Sequence, residues 1–186
     1  RFVMGECTRE EAPDAIAALR AQGLQVHLSS GDAAEAVARC ARRLDLTQAH
    51  GRQTPEAKLD YVRSLQREGR VVAMVGDGLN DAPVLAGADV SFAIGDGAAL
   101  AQRAADLVLA APSLLRVPAA IALARRARAV IRQNLAWAIG YNLLALPLAA
   151  AGLVTPWLAA IGMTLSSLAV TLNALRLARA TQKVRA

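Results

Sequence analysis

Aromatic side chains are scarce: two Phe, two Trp and two Tyr make up 3% of 186 residues, although 55% of the chain is hydrophobic. The apolar content is therefore aliphatic, and it is high for a water-soluble domain. Cysteine is equally rare. Cys7 and Cys40 are far apart with no paired spacing, which excludes a disulfide framework and a cysteine-based zinc site and fits reduced cytoplasmic thiols. The two histidines, His27 and His50, have no other ligand-type partner close in sequence and read as ordinary strand or surface residues. The most informative absence is that of acid: no Asp or Glu follows Asp106. Up to that residue 12 basic side chains stand against 15 acidic ones, a balance of −3; beyond it nine basic residues give +9. The formal charge of +6 thus belongs to the last part of the chain, beside long uncharged apolar runs. This points to a membrane surface and to no nucleic-acid partner.

What is present is organised around Met74-Val-Gly-Asp-Gly-Leu-Asn-Asp-Ala-Pro83. The preceding run Val71 to Val75 is short, β-branched and without alternation, as in a strand buried on both faces of a parallel sheet. Gly76 and Gly78 allow a sharp turn, Asn80 suits a helix cap, and Pro83 suits the first turn of the helix. Asp77 at the strand's carboxyl end and Asp81 in that first turn offer hard oxygen ligands to one cation such as Mg²⁺, while the free amides favour an anion. Taken alone, both aspartates also admit the plainer reading of turn and capping residues.

Around this stretch the chain alternates. Residues 9–22 have helical spacing, Leu24 to Leu28 alternates as a strand, and Ser30-Gly-Asp32 follows before a helix over 33–44. Thr54 and Pro55 open an amphipathic helix running to residue 68. Lys58 lies near its start, where a cation opposes the helix dipole, so an anionic partner is expected. Residues 88–94 read as a strand, 98–105 as a helix and 106–110 as a last strand. The pattern predicts a doubly wound α/β sheet with Ser30, Asp77 and Asp81 at carboxyl ends of strands, where such folds bind ligands.

A basic helix is expected over 114–133, with Arg125, Arg126, Arg128 and Arg132, after which 135–154 and 156–175 are free of charge. About 20 residues at ~1.5 Å each suffice to cross a ~30 Å hydrocarbon core, and the basic flanks place both hairpin ends in the cytoplasm. The first span holds Tyr141 and Asn142; the second holds Met163, Ser166 and Ser167 on one helix face. Counted from the turn, both sets lie ~12–19 Å deep, facing one another. A thioether there suits a soft cation such as Cu(I), and spacing alone is equally compatible with helix packing.

Taken together these residues resemble the C-terminal part of a heavy-metal P-type ATPase, an ion pump of the haloacid dehalogenase superfamily. Gly76-Asp-Gly-Leu-Asn-Asp-Ala-Pro83 is similar to that family's GDGxNDxP motif, Ser30-Gly-Asp32 to its (T/S)GD motif, and Thr54-Pro-Glu-Ala-Lys58 to its PxxK motif. Tyr141-Asn142 and Met163-x-x-Ser166-Ser167 resemble signatures of the Cu(I)-transporting subgroup, most like pumps serving copper oxidase assembly. The resemblance implies a partial haloacid-dehalogenase-like domain over 1–113, the connecting helix over 114–133, and a membrane hairpin with a cytoplasmic tail over 134–186. It implies Mg²⁺ at Asp77 supported by Asp81, Lys58 neutralising phosphoryl oxygens, and Ser30 bonding the phosphoryl group in a loop shaped by Gly31 and Asp32. Asn80 would help position the phosphoaspartate, and Tyr141, Asn142, Met163, Ser166 and Ser167 would line the Cu(I) path. ATP, membrane lipid, upstream domains of the same pump and a copper chaperone are the implied partners. No DKTGT and no CPC occur, so the nucleophilic aspartate and most of the ATP site are expected upstream, and this stretch alone is expected to be inactive. A Zn²⁺/Cd²⁺-type pump and a soluble phosphatase of the same superfamily are the alternatives.

Overall fold

The computed structural model describes residues 9–76, 81–94, 103–109 and 113–185. The chain divides into two compact units, Arg1–Pro118 and Ala119–Ala186.

The first unit is built from strand and helix in turn. Helix α1 (Ala12–Ala21) is followed by β1 (His27–Ser29), α2 (Ala34–Arg43), β2 (Gln48–His50), α3 (Pro55–Arg67), β3 (Ala73–Gly76), α4 (Ala82–Gly87), β4 (Val90–Ile94) and β5 (Leu107–Leu109). Every strand pairing among the described residues is parallel, as the alternation requires. The strands do not form one continuous sheet among the described residues: β1 pairs with β2, and β3, β4 and β5 form a separate sheet in that order. Strand β2 escapes the sequence pattern because Gln48-Ala-His50 has neither an apolar run nor alternation; its ladder with β1 makes it a strand. The expected strand from Leu24 is shorter in fact, since only His27–Ser29 has a partner. The expected helix over 98–105 lies largely outside the described residues; Arg103 and Ala104 are helical.

The core of this unit lies where α4 covers the three-stranded sheet. Val84 and Leu85 of α4 are buried with Phe92, Ala93 and Ile94 of β4, whose continuous apolar stretch is that of a strand covered on both faces. Ser91 is buried with them. Ser91 Oγ donates to Asp106 Oδ2 at 2.9 Å, and the Ser91 amide donates to the same oxygen at 2.9 Å. The Asp106 amide returns a bond to Ser91 Oγ at 3.0 Å, so a satisfied polar staple fixes β5 beside β4.

In the second unit the expected connecting helix and first apolar run are a single helix, α5 (Arg116–Ala150), which passes through Pro147. It ends at Gly152, whose φ of 72° lets its amide bond Ala149 O at 3.0 Å while the Leu153 amide bonds Leu148 O at 3.0 Å. This is the glycine-terminated reversal that caps helix carbonyls. Thr155 and Pro156 then start α6 (Pro156–Arg185), antiparallel to α5. By length and hydropathy one helix stretch qualifies to cross a bilayer among the described residues, Pro156–Leu177 at a mean hydropathy of 1.7. The apolar half of α5 carries Gln133, Asn134, Tyr141 and Asn142, which dilute its hydropathy.

Candidate functional site

Thr54 caps α3 by accepting from the Ala57 amide at 3.2 Å, and Lys58 follows one turn later. Its ammonium donates to Asp81 Oδ1 at 2.7 Å, with both side chains 14% exposed. The anionic partner expected for Lys58 is therefore Asp81, positioned immediately before α4. The approach depends on Gly76 at the end of β3, where an added Cβ would stand 3.0 Å from Asp81 Cβ and 3.1 Å from Asp81 Oδ2. Any side chain there would press on that carboxylate. Asp81 Oδ2 takes no part in the Lys58 bond, so the site retains a hard oxygen donor that fits Mg²⁺ chemistry. Asp77 and Asn80 lie outside the described residues.

The Ser30 loop is closed on itself and on the next connection. Ser30 Oγ donates to Asp32 Oδ2 at 2.7 Å and accepts from the Asp32 amide at 3.2 Å. The amides of Arg52 and Gln53 donate to the carbonyls of Asp32 at 2.7 Å and Ser30 at 2.9 Å, and the Ser30 amide donates to His50 O at 2.9 Å. Gly51 permits this contact, because a Cβ there would sit 2.7 Å from Ala34 Cα. Gln53 precedes the Thr54 cap, so a backbone ladder connects the Ser30 loop to the helix that carries Lys58. Sequence reasoning missed residues 50–53; the signal available was a glycine two residues before the Gln53-Thr-Pro55 start of α3.

Behind this loop, the polar face of β1 and β2 lies under α3. His27 Nδ1 and the Tyr61 hydroxyl share a hydrogen bond of 2.7 Å, and the His50 ring lies 4.4 Å from that of Tyr61. Burial, aided by Arg70 and His50, holds His27 below its ordinary range, and burial pushes the Tyr61 hydroxyl up.

In the hairpin, Tyr141 and Ser166 lie between the helices, whereas Asn142, Met163 and Ser167 are exposed. The Tyr141 hydroxyl oxygen stands 2.7 Å from where a Cβ on Gly162 would be. The Trp137 indole donates to Ser166 Oγ at 3.1 Å, and Asn173 Nδ2 donates to Asn134 Oδ1 at 2.9 Å. Asn142 donates to Ala138 O of its own helix at 2.8 Å, and Met163 is 68% exposed. The expectation that Asn142 and Met163 face one another across the seam therefore fails: the seam is filled by the small and aromatic residues beside them.

The model of the haloacid dehalogenase-like hydrolases matches residues 2–89. The chain is 48% identical over 177 residues to the nitrogen fixation protein FixI of Rhizobium leguminosarum bv. viciae, covering 95% of this chain and 23% of that protein. It is 43% identical over 176 residues to a copper-exporting P-type ATPase of Mycobacterium tuberculosis (strain ATCC 25618 / H37Rv), again covering 95% and 23%. The solved structure of a zinc-transporting PIB-type ATPase in the E2.Pi state superposes with a TM-score of 0.86 at 36% identity. That match covers 92% of this chain and 28% of that one. Over nearly all of its length the chain is thus similar to part of the heavy-metal P-type ATPases. It spans about a quarter of the length of the relatives it matches. The α/β unit of this chain has the haloacid-dehalogenase-like fold.

Proposed function

We propose that this chain is the C-terminal portion of an ATP-driven heavy-metal cation pump that exports Cu(I) through an aspartyl-phosphate intermediate. The Lys58–Asp81 pair, seated against Gly76 at the end of β3, carries the reading. It supplies a fixed cation for phosphoryl oxygens and a carboxylate oxygen for Mg²⁺, which are what a phosphoryl transfer requires of a protein. When bound, Mg²⁺ would supply charge neutralisation at the transferred group, held by Asp77 with Asp81 in support. Ser30 would bond the phosphoryl group from the loop closed by Asp32, and Asn80 would help position the phosphoaspartate. The nucleophile and most of the ATP site would come from the remainder of the pump.

The hairpin of α5 and α6 would be the membrane part. Large apolar residues along both helices are exposed, among them Leu143 at 70% and Leu144 at 71%, as suits lipid or further membrane helices. Both hairpin ends would be cytoplasmic, on the basic flanks. Tyr141, Asn142, Met163, Ser166 and Ser167 would serve the transported ion, delivered by a copper chaperone. A second reading, a Zn²⁺/Cd²⁺ pump, is favoured by the likeness to a zinc-transporting protein. Against it stands the lack of any carboxylate after Asp106, since divalent hard-to-borderline ions call for one.

The test is made on the intact pump. Asp77→Ala and Lys58→Met are expected to abolish phosphoenzyme formation from ATP; normal phosphoenzyme in both would overturn the reading. Turnover stimulated by Cu(I) and not by Zn²⁺ is expected; the reverse selects the second reading.

A further inference from the structure

Contacts at successive levels hold α5 against α6, among them Asn134 with Asn173, Trp137 with Ser166, and Tyr141 against Gly162. The half-buried positions of α5 include Asn134, Ala138, Tyr141 and Ala145, and those of α6 include Gly162, Ser166, Val170 and Asn173. Both sets recur at three- and four-residue steps, the spacing of one helix face. Asn142 and Met163 each follow a seam residue by one position. In an antiparallel pair a step of about 100° turns both toward the same broad side of the hairpin. Ser167, one position after Ser166, joins them. Trp137 precedes seam residue Ala138 and so approaches from the opposite side.

We propose that Trp137 is a positioning residue for the transported cation: its bond to Ser166 fixes the rotation of α6 about its axis, bringing Met163 and Ser167 beside Asn142 on one face. The inference rests on the reading of those residues as the ion path. The physical reason is that an indole N–H in hydrocarbon without an acceptor is costly, so α6 is held at the rotation that presents Ser166 Oγ. Ser166 then spends an acceptor site on Trp137 and acts through its neighbours, while Met163 and Ser167 are left free to meet the ion.

The test uses the full-length pump in lipid nanodiscs with Cu(I) as the probe, its affinity read by competition with a chelator. Trp137→Phe and Ser166→Ala are each expected to weaken binding about tenfold, the effect of losing one hydrogen bond. The double variant is expected to be no weaker than either single one, and Ser166→Thr, which keeps the hydroxyl, to restore binding. Independently, a cysteine pair at Asn142→Cys and Met163→Cys is expected to cross-link with a short bis-maleimide, and Trp137→Phe to reduce that yield severalfold. Unchanged cross-linking in the Trp137→Phe background overturns the proposal. If Asn142→Ala and Met163→Ala leave Cu(I) affinity unaltered while the cross-link responds to Trp137→Phe, the register role stands and the ion-path reading fails. If those two weaken binding and Trp137→Phe does not, the positioning role is wrong.

Discussion

Lys58 Nζ donates to Asp81 Oδ1 at 2.7 Å with both side chains 14% exposed, joining the first turn of α3 to the start of α4. A cation placed against its own helix dipole is stabilised by a carboxylate from another element. Breaking so buried a pair leaves the survivor without its partner. Lys58→Ala is expected to destabilise the protein by about 3 kcal/mol, whereas Lys58→Ala with Asp81→Ala costs less than the two single losses together. Thermal unfolding of the four proteins of this cycle is the measurement, and strict additivity would contradict the coupling.

Gly76→Ala tests the same site through the backbone. The new Cβ would meet Asp81 Cβ at 3.0 Å and must displace a carboxylate already bonded to Lys58. A loss of about 1–3 kcal/mol is expected. Phosphoenzyme formation in the intact pump should fall more steeply than stability, because the carboxylate moves while the fold survives.

Ser91→Ala removes the hydroxyl that both donates to and accepts from Asp106 at the buried edge of β4. The Asp106 amide then lacks its acceptor. A cost of about 2 kcal/mol is expected, read as a lower urea midpoint with an unchanged slope. Val90→Ala, one residue away and half-buried, is expected to cost less.

The His27–Tyr61 contact predicts a pH dependence. Burial holds His27 below the ordinary 6.5, so the folded protein binds this proton less readily than the unfolded chain. Its stability contribution is therefore full above the ordinary histidine value and is lost as pH falls through the depressed one. The melting temperature should drop on acidification below about pH 6.5, and His27→Gln should flatten that slope. An identical slope in the variant would place the proton elsewhere.

Glu11 accepts from the Leu114 amide at 2.6 Å and from Ser113 Oγ at 2.9 Å, and these bonds hold its carboxyl below the usual range. It serves as a cap, supplied by another segment, for the free amides at the start of α5. Glu11→Ala is expected to increase amide hydrogen exchange at Leu114 and its neighbours several-fold, with exchange in β4 unchanged.

Local chemistry made much of this protein legible in its sequence. Thr54-Pro55 marked the start of a helix. The loss of acid after Asp106 separated a charged α/β part from an apolar helical one. The motifs around Ser30, Lys58 and Asp81 pointed to the family because phosphoryl chemistry needs such polar and charged groups together. Tertiary structure decided what depends on partners distant in the chain. A three-residue strand such as Gln48–His50 exists only through its ladder with β1. Asp81 became the partner of Lys58 because Gly76 left it room, a contact between residues 23 apart. In the hairpin, sequence spacing did not reveal the direction of Asn142 and Met163. Which residues fill the seam is set by side-chain size and hydrogen bonding between two helices, and neither helix specifies that alone.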